Sequence, residues 1–364
     1  MTNVQLGFGF EESTLARTPA TTPKARKAKI AWPAPAPQST PTPTPTPTPA
    51  PATVSNVPVE MPAVLEGMAR ALEQHPDYRV LRRLLAQTQF THQPLGPIAR
   101  VVILDTETTG LDHARDKIIE LALVRVDVDM QTGQPVGPVQ VYDGLQDPGM
   151  PIPKIAREIT GITDAMVGGQ QLDEVRIASL LEGVDLVIAH NAGFDRPFVE
   201  ARLPQVAGLN WACSFADIDW TAAGRSSAKL SYLASELGWF YDAHRAEMDC
   251  HALLTVLMAE VPGLGQSGLA RLIASTQTPS YRLQATGAPF DAKDLLKTRG
   301  YRWDATGKVW HTRLGSDEAL QAECEWLKQA VYAGRAARLQ WERHDAKSRY
   351  SSRPGTAGWV QLQD

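Results

Sequence analysis

The chain has 364 residues, 43% of them hydrophobic, and a formal net charge of −4. That is apolar mass for one sizeable core and a smaller second one, while the slightly negative balance argues against a protein that coats nucleic acid through bulk electrostatics. Cys213, Cys250 and Cys324 have neither paired nor zinc-like spacing, no run is long and apolar enough to cross a bilayer, and the first residues lack the basic start and apolar core of a secretory signal; the expected location is the reducing cytoplasm.

Residues 1–62 show no sustained apolar period and are expected to form a disordered Pro/Thr-rich tail. Its Thr-Pro repeat over 39–52 cannot pack, and as extended polyproline II the stretch 31–57 reaches roughly 80 Å at about 3.1 Å per residue. Next, residues 63–95 read as a helical hairpin packed on the main core: Leu65, Met68 and Leu72 fall at helical spacing, and beyond Pro76 a second short helix carries Tyr78, Leu81 and Leu85.

The main domain is placed at 96–262. Val101 to Leu104 form a short apolar run that reads as a buried strand, and Asp105 and Glu107 follow it directly. Alternation along a strand puts these two carboxylates on one face, able to grip one cation. Further strands are expected over 117–128 and 139–142, and helices around 172–181, 197–203 and 230–237. A second apolar run, Leu186 to Ala189, delivers His190, Asn191, Phe194 and Asp195 beyond a strand end, where open α/β sheets place their sites. In the third motif His244 precedes a helical stretch in which Asp249, Leu253 and Leu257 share a face, so Asp249 points inward. Carboxylates converging without cysteine or a histidine-rich set favour hard cations, Mg²⁺ or Mn²⁺, over zinc, and suit a two-metal phosphodiester hydrolysis. His244, with an unperturbed pKa near neutrality, is the natural acceptor of a proton from the attacking water.

These three motifs, over residues 99–260, resemble the DEDDh family of 3′-to-5′ exonucleases, which includes the proofreading (epsilon) subunit of bacterial replicative polymerase, ribonuclease T and oligoribonuclease. The resemblance implies a ribonuclease H-like α/β fold, a mixed sheet flanked by helices. It also implies two metal ions held by Asp105, Glu107, Asp195 and Asp249, with His244 as general base and release of nucleoside 5′-monophosphates from a nucleic acid 3′ end. By the same analogy Thr108, Asn191 and Phe194 contact the terminal nucleotide, while His190 is read as a structural or phosphate-positioning residue. The extra modules favour DNA, in proofreading or repair, over a 3′-trimming ribonuclease. An inactive binding adaptor would have lost a ligand, and none is lost.

From Pro279 to residue 332 a small basic α+β module is expected. A helix over 292–299 stops at Gly300, and strands around Trp303 and Trp310 flank a turn ending at Lys308. Within 281–313 seven Lys or Arg stand against three Asp, interleaved with Tyr301, Trp303 and Trp310. That composition fits a contact for single strands, although at least two of these aromatics are read as core. Residues 333–364, with Arg335, Arg338, Arg343, Lys347, Arg349 and Arg353, are expected to form a flexible basic tail. At the other end Gln5, Leu6, Phe8 and Phe10 resemble the short peptides that dock bacterial polymerases and repair enzymes on the sliding clamp. A long tether would then hold the nuclease near its 3′ ends.

Overall fold

A computed structural model describes residues 63–362; the tail 1–62, with the Thr-Pro repeat and the Gln5 to Phe10 peptide, lies outside the described residues. Helix α1 (Ala63–Glu73) has no buried residue, and Leu65, Met68 and Leu72 are all exposed. It is tied instead by charge, since Arg82 donates to both Glu66 and Glu73. Beyond α1 the expected second helix is absent. Strand β1 (Arg82–Arg83) runs parallel to a later strand and β2 (Gln89–Phe90) joins the edge of the main sheet, so the 63–95 hairpin packed on the core is corrected to one solvent-facing helix and an extended connection. The helical spacing of Leu81 and Leu85 loses to edge pairing, which buries Leu84 and leaves the other two exposed.

The main sheet continues with three long strands, β3 (Ile98–Thr108), β4 (Ile118–Asp129) and β5 (Gln134–Leu145), joined antiparallel. Helices α2 (Lys154–Thr160), α3 (Asp164–Val167) and α4 (Glu174–Leu181) lead to β6 (Leu186–Ala189), α5 (Ala192–Arg202) and β7 (Trp211–Cys213). β6 and β7 add in parallel, giving the order β2-β5-β4-β3-β6-β7. Then come α6 (Leu230–Glu236), β8 (Trp239–Phe240), which pairs with β1, α7 (Ala246–Met258), the small hairpin of β9 (Glu260–Val261) and β10 (Gln266–Ser267), and α8 (Gly268–Ser275).

Alternation along β3 decides which layer each residue meets. Val101 and Ile103 pack with Ala122 and Val124 against α6, α7 and α8, while Val102 and Leu104 pack with Leu121 and Leu123 against α4 and α5. The central strands are therefore buried on both faces, which is why they read as unbroken apolar runs. This mixed sheet between helical layers is the ribonuclease H-like arrangement.

The C-terminal module is a five-stranded antiparallel sheet. β11 (Ser280–Ala285), α9 (Lys293–Thr298), β12 (Arg302–Asp304), β13 (Val309–Leu314) and α10 (Asp317–Trp326) are followed by β14 (Ala337–His344) and β15 (Thr356–Leu362), in the order β12-β13-β11-β14-β15. Leu283 and Leu339 from the sheet and Leu296, Leu320 and Leu327 from the helical side form its core, with Tyr301 buried among them. In place of the expected flexible tail, residues 337–362 thus supply two strands. β14 places Leu339 inside between exposed Arg338 and Gln340, an alternation whose charged outer face hides the strand in composition.

The loop between β14 and β15 fastens the module to the main domain. Arg196, the residue after Asp195, is fully buried, and its guanidinium donates to Glu200 (2.7 Å) and to the carbonyls of Arg349 (2.6 Å) and Lys347 (2.5 Å) while lying over the Trp211 ring. The Trp211 amide, on the edge strand β7, donates to the Ala346 carbonyl, and the Tyr350 hydroxyl donates to Asp217. Arg349 is itself buried and donates to the Ser275 and Thr278 carbonyls. Replacing Arg196 with Met should therefore cost about 3 kcal/mol or more, the usual penalty for breaking a buried charge network; urea unfolding checks this, and a loss below about 0.5 kcal/mol would contradict the fastening.

Candidate active site

Asp105 and Glu107 extend the odd-numbered face of β3, the face covered by α7, so they emerge near the C-terminal end of this interior strand beside the first turn of that helix. Asp249 sits in this turn, and one oxygen from each of Asp105, Glu107 and Asp249 lies within 4.8 Å of the others. Asp195 arrives from the opposite layer, in the first turn of α5. It is 2% exposed and accepts from the Thr106 hydroxyl at 2.8 Å, so the residue between the two β3 carboxylates anchors the fourth.

The four carboxylates behave as one electrostatic unit. Burial, followed by the charges of Asp195, Asp249 and Glu107, holds Asp105 well above the usual carboxylate range. Glu107 is pushed up to about 8, mainly by burial and then by Asp249 and Glu120. Asp195 rises to about 7, mainly by burial, against the Thr106 hydrogen bond. Asp249 is raised by burial too, and its partners only soften the shift. An all-oxygen set of converging acids that resist ionising together is what a hard divalent cation neutralises, so the residues present fit such an ion.

Asp249 is fixed by its own loop. It accepts the backbone amides of His244 (2.8 Å) and Arg245 (3.2 Å) and the Tyr241 hydroxyl (2.9 Å). His244 adopts a left-handed backbone (φ 67°) that these bonds hold, and its ring is exposed beside the cluster. The carboxylate thus orients the loop that presents the histidine.

Glu120, which sequence reading missed, completes the frame. It lies opposite Glu107 on β4, is fully buried, and accepts from Arg245 (2.8 Å) and the Ala246 amide (3.0 Å), pinning the start of α7. A lone acid inside the apolar run Ile118 to Leu123 was the available signal. The three substrate-contact candidates separate. Thr108 turns inward and donates to the Gly110 carbonyl at 2.6 Å. Asn191, in a left-handed conformation just ahead of α5, and Phe194, packed on Phe198, line a cleft of about 600 Å³ beside Asp195. His190 bonds Ser214 through Nδ1 at 2.7 Å, and burial pushes it down to about 4, so it stays neutral at physiological pH. Cys250 is a buried core residue behind the site.

Residues 102–257 match the RNase_T family, described as Exonuclease. The chain is 32% identical over 201 residues to a DNA polymerase III PolC-type protein of Thermotoga petrophila, a match covering 53% of this chain and 14% of that one. It is 41% identical over 105 residues to a DNA polymerase III subunit epsilon-like protein of Rhodobacter capsulatus, covering 28% and 14%. The matched region therefore spans about one seventh of these relatives' lengths. A solved structure of Exonuclease X in complex with 5′ overhanging duplex DNA shares 25% identity over 47% of this chain and 99% of that one, with a TM-score of 0.35. Over this domain the chain is similar to the exonuclease family.

Glu120→Ala should lower stability by about 1 to 3 kcal/mol, because it leaves the buried Ala246 amide unpaired, while the half-exposed Arg245 turns to water. Denaturant unfolding measures this, and a change under about 1 kcal/mol would mean the start of α7 is held by something else.

Proposed function

We propose that this protein is a metal-dependent 3′-to-5′ exonuclease, acting in the cytoplasm, that releases nucleoside 5′-monophosphates from a nucleic acid 3′ end, with DNA favoured. The convergence of Asp105, Glu107 and Asp249 within 4.8 Å, with Asp195 locked alongside, carries this reading. The similarity to PolC-type and epsilon-like proteins supports a place in replication proofreading or repair.

Asp105, Glu107, Asp195 and Asp249 would hold two Mg²⁺ or Mn²⁺ ions. When bound, these supply the Lewis acidity that activates a water and stabilises the leaving 3′ oxygen. The protein's own work is to bind, orient and move a proton. Thr106 fixes Asp195, Tyr241 and the 244–245 amides fix Asp249, and Glu120 with Arg245 holds the helix under them. His244 accepts the water's proton on its imidazole and, being exposed, can pass it to solvent. Asn191 and Phe194 border the terminal nucleotide, and Thr108 shapes the turn after Glu107 through its bond to Gly110.

Two variants separate these roles. Asp195→Ala should abolish 3′-end hydrolysis of single-stranded DNA, whereas His244→Ala should lose about 10² to 10⁴ in kcat and still bind Mn²⁺ in calorimetry. Near-normal turnover by Asp195→Ala would remove the site from the reaction, and loss of Mn²⁺ binding by His244→Ala would make the histidine a ligand. The reading extends to the tail, where Gln5, Leu6, Phe8 and Phe10 dock on the sliding clamp. A peptide of residues 1–15 should bind that clamp at micromolar strength and lose it on combined Gln5→Ala and Phe8→Ala; no detectable binding retires this extension.

A further inference from the structure

Between the C-terminal module and the start of α5 lies the cleft of about 600 Å³ that Asn191 and Phe194 border. Phe215 adds to its nuclease wall, and Arg302, His311 and Arg313 form its module wall. Phe194 immediately precedes Asp195, so one end of the cleft adjoins the helical turn that carries a catalytic carboxylate. We propose that this cleft, from its Asn191 and Phe194 end at the 3′-terminal nucleotide, holds the substrate strand just upstream, with Arg302 and Arg313 on the phosphates and Phe215 against the bases.

The strand register accounts for the basic wall. Arg302 and His311 are cross-strand partners on β12 and β13, and Arg313 lies two residues on from His311, on the same face. The next pair, Trp303 and Trp310, takes the opposite face, where the two rings meet at 5.4 Å. The hairpin therefore turns Arg302 and Arg313 toward the nuclease domain, while its tryptophans and Lys308 face another cavity. Two other arginines of the module are spent, Arg282 on Asp304 and Arg299 on Glu323. Arg302 and Arg313 are exposed and have no carboxylate partner among the described residues; Arg313 rests over the Tyr350 ring at 5.0 Å. Unspent guanidiniums facing aromatic side chains across a narrow cleft match one nucleic acid strand, with charge-assisted bonds to phosphate and ring faces for bases.

Two further observations favour this occupant. The adjoining cavity of about 730 Å³ is bordered by Asp217 and Asp219 as well as by arginines, so of these two the first cleft is the one whose ionic groups are cationic only; a cavity of about 480 Å³ with Lys293, Lys297 and Lys308 is also cationic but is lined by the module alone. The module wall is also rigid, because the 345–355 loop that fastens it binds Arg196, next to Asp195, and Tyr350 lines the cleft itself. Register between the held strand and the carboxylates is thereby built into the fold.

The proposal rests on the exonuclease reading, and steady-state kinetics on single-stranded deoxyoligonucleotides from dinucleotide to octanucleotide test the two separately. In the wild type, KM should fall as the strand lengthens over the first few nucleotides. In the double variant R302E/R313E that gain should disappear, with KM on the octanucleotide raised at least about tenfold and the salt dependence of log KM shallower by about 1.4, two contacts at roughly 0.7 each. R302Q/R313Q should give the same trend if charge reversal disturbs folding, and R302K/R313K should recover part of the loss. Wild-type hydrolysis with an identical length dependence in the Gln and Glu variants would overturn the cleft assignment alone. A wild type that degrades no strand from its 3′ end would instead overturn the exonuclease reading.

Discussion

Mutual repulsion among Asp105, Glu107, Asp195 and Asp249 is the constraint around which this domain is arranged. Each is raised above the ordinary carboxylate range by burial in the company of the others, so the fold must hold together groups that would separate if free. It does so from three directions. β3 contributes two acids on one face and, through Thr106 on the other, a hydroxyl that tethers the third; α7 brings the fourth, pinned by Tyr241 and by the amides that precede it. Since the odd residues of β3 meet one helical layer and the even residues the other, the strand is the joint at which both layers reach one point.

The same logic explains Glu120, a fifth acid beside the cluster that is neutralised within the protein. Arg245 and the Ala246 amide satisfy it, so an acid that still adds to the charge on Glu107 also anchors the helix bearing Asp249. On the α5 side, Arg196 does comparable work by joining the turn that carries Asp195 to the C-terminal module. That module is therefore coupled to the acidic cluster through a side chain adjacent to a metal-ligand candidate.

Much of this was legible in the sequence where physics is local. The apolar runs ending in Asp105 and at His190 announced buried strands, and the spacing of Asp249, Leu253 and Leu257 put the acid on the inner face of its helix. What escaped depends on partners distant in sequence. The 81–85 stretch has helical spacing but pairs with 239–240 across the surface. β14 carries charged residues on its outer face and, with β15, looked like a flexible tail, yet each supplies a strand to a shared sheet. Glu120 looked like an interruption in a strand because Arg245 lies 125 positions away. Thr108 matched a substrate contact by position, but its hydroxyl is committed to the neighbouring Gly110 carbonyl.

The central claim, that the four acids are held together for a divalent cation, is tested most directly by thermal unfolding with and without Mg²⁺ at a pH near 8. Carboxylates with raised folded-state pKa values destabilise the ion-free protein as pH climbs from their unfolded values through the folded ones, about 8 for Glu107. A cation that binds only the folded cluster reverses this. At a hundredfold excess over its Kd, Mg²⁺ should raise the midpoint by about 5 °C or more, and Asp105→Asn should erase most of the shift. A wild-type midpoint that ignores Mg²⁺ and Mn²⁺ at that pH would contradict the account.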